Sequence, residues 1–86
     1  MSFRLYVRRV EVEARQLGIR LSMMKFRDAV ARSFYDRHYS AVAAAENAGA
    51  LPPLVFPPPY IHQICEIYRI DCDTLERACN LAFTRN

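Results

Sequence analysis

All five prolines of this 86-residue chain fall between positions 52 and 59, within Ala50-Leu51-Pro52-Pro53-Leu54-Val55-Phe56-Pro57-Pro58-Pro59. Each fixes φ and removes a backbone donor, so neither a helix nor regular sheet can run through them. An extended, polyproline-II-like path remains. Large apolar residues sit among the prolines, which a solvated linker would not carry. Residues 50–59 therefore read as a strap laid across a core, with Leu54 and Phe56 as pegs. The alternative is a proline-rich ligand presented to an aromatic groove on a partner.

On either side of the strap the apolar residues follow a helical period. Phe3, Val7, Val10, Ala14, Leu17 and Leu21 form one seam. Val10-Glu11-Val12-Glu13 alternates like a half-exposed strand, but the longer pattern holds through Leu17. It ends at Gly18, with Ile19 placed for the hydrophobic contact of a Schellman stop. Arg4, Arg8, Glu11 and Arg15 line the outer face, Glu11 and Arg15 at the spacing of a helical ion pair. Ser22 suits the N-cap of a second helix, in which Met23, Phe26, Val30 and Phe34 make the apolar stripe and Ala29 widens it. Lys25, Arg27, Asp28 and Arg32 take its other side, with Asp28 spaced to pair with Arg32.

Asp36-Arg37-His38-Tyr39 breaks that pattern. Ser40 is then the expected cap of an alanine-rich helix that stops at Asn47-Ala48-Gly49. Beyond the strap, Pro59 suits a first helical position, and Ile61, Ile64, Cys65 and Tyr68 share one side of a helix reaching Ile70. Asp71 or Asp73 caps the last helix, Asp73-Thr74-Leu75-Glu76 having the spacing of a capping box. Leu75, Ala78, Cys79, Ala82 and Phe83 form its inner face. The sum is an all-α single domain over 1–86, an irregular bundle of about five short helices near 3–17, 22–35, 40–48, 59–70 and 73–84.

A chain of this size buries only ~60–65% of its unfolded surface, and a homodimer that shares its core is one way to add to that. No apolar run approaches the ~20 residues needed to span a bilayer. Met1-Ser2-Phe3-Arg4 lacks the apolar core of a secretory signal. A soluble, cytoplasmic protein with no membrane partner is expected.

Reactive groups are few. Cys65, Cys72 and Cys79 are odd in number, which argues against a disulfide framework. His62 and Cys65 share a helix face, yet a paired Cys-x-x-Cys knuckle is missing; buried, inert thiols are expected instead of a metal site. Asp36, His38 and Ser40 alternate in a turn, which does not build a catalytic relay. His62 and Glu66 lack the second histidine of a zinc-protease motif. The two glycines, Gly18 and Gly49, are both used as helix stops, so no phosphate-cradling loop exists. No cofactor is implied, and an enzyme is not expected.

Charge is unevenly spread. Residues 1–40 carry nine Lys/Arg against four Asp/Glu, and residues 41–86 three against five. The basic half would attract an acidic protein surface or phosphate. Arg4, Arg8, Arg15, Lys25 and Arg32 are the candidate contacts to a protein partner, through pairing with carboxylates. Tyr35 and Tyr39 could anchor that contact or simply pack at the turn. A small helix-turn-helix reader of nucleic acid is the alternative. Ser40–Ala48 begins with alanines and valine where base-reading side chains are needed. The string ICEIYRIDCDTLERA vaguely resembles the helical pairs of small bacterial repressors; Arg77, Asn80 and Arg85 would be its contacts, beside acidic residues.

The stretch LSMMKFRDAVARSFYDRHYSAVAAAENAG, about a third of the chain, resembles a glyoxalase-related helical module of small bacterial and plasmid proteins. Its Leu-Ser start, alanine-rich middle, aromatic turn and second apolar helix carry the likeness. No metal-ligand set accompanies it, so the resemblance implies an accessory protein of bacteria or mobile elements and no glyoxalase chemistry. In size and in lack of catalytic groups the chain is similar to anti-CRISPR proteins. That likeness implies a phage- or plasmid-encoded inhibitor or adaptor that blocks a protein partner sterically and electrostatically.

Overall fold

A computed structural model describes residues 2–84. These form five helices, α1 Phe3–Gln16, α2 Met23–Tyr35, α3 Tyr39–Asn47, α4 Ile61–Tyr68 and α5 Cys72–Thr84, and the all-α expectation is borne out. None of them is long and apolar enough to cross a membrane.

Caps explain most of the boundaries. The Ser2 hydroxyl accepts from the Leu5 N–H at 3.1 Å and the Ser22 hydroxyl from Lys25 N–H at 3.4 Å, each satisfying an otherwise unpaired donor of the first turn. Helix α1 ends in a full Schellman motif: Gly18 N–H donates to the Arg15 carbonyl and Ile19 N–H to that of Ala14. Helix α3 ends the same way at Gly49 and Ala50. Both glycines have positive φ, the conformation these stops require.

Both ends of α4 and the start of α3 differ from the sequence reading, the two starts because a hydrogen bond goes elsewhere. Helix α3 begins at Tyr39, not at a Ser40 cap; its N-cap is His38, which makes no side-chain bond. The Tyr39 N–H is instead satisfied from outside by Asp28 Oδ1 of α2 at 2.8 Å. Helix α4 begins at Ile61, two residues later than Pro59, because Tyr60 is not helical and its N–H donates to the Ser33 carbonyl near the end of α2 at 2.9 Å. It ends at Tyr68, before Ile70, since Arg69 takes a left-handed conformation at φ 57. For α5 the cap is Asp71: its Oδ2 accepts from the N–H and the hydroxyl of Thr74. Asp73 lies inside the first turn, where a carboxylate complements the helix dipole.

Helix α1 packs mainly on α5 and α2 on α4, while α3 closes over α2 and α1. Between them lies one core, centred on Val7, Val10, Phe26, Val30, Phe34, Leu75 and Cys79. The buried Tyr6 hydroxyl donates to the Cys79 carbonyl at 2.9 Å, tying α1 to α5. The strap crosses this core. Leu51, Leu54 and Phe56 pack against it, and the Phe56 ring lies 5.5 Å from Phe34 and 4.8 Å from Phe83. Pro58 is fully buried, whereas Val55 points outward.

Candidate functional site

A groove of about 500 Å³ opens where the first turns of α1 meet α2 and the start of α3, lined by Ser2, Arg4, Leu5, Arg8, Arg27 and Tyr39. Its geometry follows from helical spacing. Arg4 and Arg8 stand one turn apart on α1, turned from the core by the buried Phe3, Tyr6, Val7 and Val10. Arg27 flanks the apolar stripe of α2 and leans over the Tyr39 ring, its guanidinium carbon 5.6 Å from the centroid, a favourable cation–π distance. Tyr39 is itself held by the Asp28 bond to its backbone, and Asp28 Oδ2 lies 3.5 Å from His38 Nδ1. The wall of the groove is therefore fixed before anything binds.

Among the described residues no carboxylate lines this groove. Among the described residues Arg4, Arg8 and Arg27 form no ion pair, whereas Arg15 pairs with Glu11 at 3.2 Å. Like-charged residues four apart destabilise a helix by ~0.2–0.5 kcal/mol, and a cation in the first turn, where Arg4 sits, opposes the macrodipole. The arrangement is unfavourable for the fold and favourable for an anion. Chemically it can offer forked, bidentate hydrogen bonds to carboxylates or phosphates, with a tyrosine face and Leu5 alongside.

The sequence candidates divide. Arg4, Arg8 and Tyr39 come together here. Arg15 is exposed two turns along α1, paired with Glu11 as its spacing indicated. Lys25 is exposed on the first turn of α2, away from the groove. Arg32 does not pair with Asp28: its Nη1 reaches the Tyr68 hydroxyl at 3.5 Å and its guanidinium lies over that ring. Tyr35 packs on Phe3, ring centroids 5.6 Å apart, and its hydroxyl donates to the Pro52 carbonyl at 2.7 Å, pinning the strap. Arg77 and Asn80 border a shallow depression with Asp73 and Glu76, and Arg85 lies outside the described residues. Arg27 was not among the sequence candidates. Its signal was its place beside the apolar stripe of α2, where a long side chain is drawn toward the neighbouring helix, whereas Lys25 projects the opposite way.

Elsewhere, the thiols are free. Burial pushes Cys65 and Cys79 up to about 12. Cys72 is half-buried, its sulfur 3.3 Å from His62 Nδ1. Among the described residues no three His, Cys, Asp or Glu side chains are placed to hold a metal ion. A second cavity of about 480 Å³ lies under the strap, lined by Phe3, Tyr35, Leu51, Pro52 and Leu54, with Glu46 at its edge. Glu46 Oε2 accepts from the Phe3 N–H, so this carboxylate serves the start of α1.

Comparisons with family models, with curated proteins and with solved structures return no match to this chain.

Proposed function

We propose that this protein is a non-enzymatic binding module that captures an acidic surface of a protein partner in the groove of Arg4, Arg8, Arg27 and Tyr39. The observation that carries the reading is a groove lined by three arginines and, among the described residues, by no carboxylate. Such a cluster costs the isolated fold stability and is repaid only when an anionic group enters. The apolar neighbour Leu5, 42% exposed, favours a protein surface over a nucleic-acid backbone. The free thiols accord with a reducing, cytoplasmic setting. On this reading the module acts as an inhibitor or adaptor of the kind mobile elements encode, occluding its partner by shape and charge. The resemblance carried by residues 21–49 supports that finer statement.

The test is capture from nuclease-treated bacterial lysate on the wild type, on R4E/R27E and on R15E, each shown by thermal melting to be folded. A protein retained by the wild type and R15E, and lost with R4E/R27E or with added salt, is expected. Equal retention on all three sinks the assignment. Recovery of nucleic acid alone from untreated lysate, with a steep salt dependence, assigns the groove to phosphate instead.

A further inference from the structure

Resting on that reading, we propose that the docked element is a helix of the partner whose exposed face combines acidic with large apolar residues. The groove does not end at Tyr39. A second depression of about 330 Å³, lined by Met24, Arg27, Asp28, His38, Tyr39 and Ser40, shares Arg27 and Tyr39 with the first. The two lie side by side at the junction of α1, α2 and α3, with the stacked Arg27 and Tyr39 common to both, and together form a furrow. Leu5, 42% exposed, lines the first with Arg4 and Arg8, Met24, 80% exposed, lines the second, and Arg27 lines both. Asp28 accepts from the Tyr39 N–H and lies beside His38; its single negative charge stands against three arginines, so the lining stays basic.

That pattern selects the occupant. A phosphate backbone would use the arginines and leave Leu5 and Met24 exposed. An extended peptide gains most of its affinity by adding a strand to a sheet edge, and the described residues contain no strand. A helix presents side chains three and four residues apart on one face. It can place carboxylates on Arg4, Arg8 and Arg27 while apolar residues reach Leu5 and Met24, as in helix-in-groove recognition. Methionine suits such a seat because its unbranched chain adapts to the residue it meets. Arg27, already held over Tyr39, loses little freedom on pairing.

The experiment measures fluorescence anisotropy of labelled peptides against the whole chain. One peptide carries Glu and Leu at helical spacing on a single face. A second has the same composition in an order that scatters them around the helix. A third replaces Glu by Gln in the first. The first should bind about tenfold more tightly than the second, and the third should not bind. Met24→Ala and Leu5→Ala, both at exposed positions, should each weaken the first peptide severalfold while leaving the second unchanged. Equal binding of the first two peptides, indifferent to Met24→Ala, overturns the helix while leaving acidic recognition standing. Failure of both acidic peptides, or tighter binding to duplex DNA, overturns the helix and the acidic partner together. A dimer in light scattering that Met24→Ala dissolves gives the furrow to a second copy of the chain and overturns the proposal.

Discussion

Asp28 holds two residues at once, accepting from the Tyr39 N–H and lying beside the His38 ring. It thereby caps α3 from a neighbouring helix and fixes the ring against which Arg27 rests. Asp28→Ala should cost about 1–2 kcal/mol, read as a lower urea midpoint, and should also weaken partner capture. Arg69 carries a strain of the opposite kind: it occupies the left-handed end position of α4 at φ 57, where glycine is at ease. Arg69→Gly should raise stability by about 1 kcal/mol, a gain of several degrees in Tm for a domain of this size. At Arg4, Glu would pair with Arg8 and complement the helix dipole. Arg4→Glu should therefore stabilise the protein by about 0.5–1 kcal/mol while reducing binding, a divergence that a residue serving only the fold would not show. The Glu11–Arg15 pair was legible because both partners lie on one helix. The choice of Asp28 between Arg32 and the α3 cap was not, since it depends on a contact across the turn.

Each helix owes its existence to local signals, and its limits to neighbours. The serine caps and the two glycine stops belong to a single turn of chain, so their positions in the sequence place them. The start of α4 could not be placed that way, because the Tyr60 N–H is taken by the Ser33 carbonyl, twenty-seven positions earlier. The groove was half legible for the same reason. Arg4 and Arg8 share a face of α1, but adding Arg27 and discarding Arg32 and Tyr35 needed the packing of α2 on its neighbours. The strap is the element most exposed to a single change. Phe56 touches rings from α1, α2 and α5, and Phe56→Ala should remove about 2–4 kcal/mol. That is a large share of the 5–15 kcal/mol typical of a whole domain, and circular dichroism melting should show one lowered, broader transition.

Across the whole molecule, ionisable groups sealed in the core set a limit at high pH. Cys65 and Cys79 are held protonated to about 12 by burial, against an ordinary value of 9.0, and burial likewise raises the Tyr6 hydroxyl. The folded chain therefore keeps protons that the unfolded chain releases. The thiols add no pH dependence well below pH 9, and stability should fall between 9 and 12, by up to ~1.4 kcal/mol per pH unit for each retained proton. Urea titrations across that range should show a shallower decline in Cys79→Ala. The pairing of α1 with α5, locked by Tyr6 on the Cys79 carbonyl, has a different consequence, for the order of events at birth. Helix α1 has its main packing surface on α5, which is made four helices later. During synthesis α1 leaves the ribosome before its principal cover exists, and its apolar seam stays open until α5 follows.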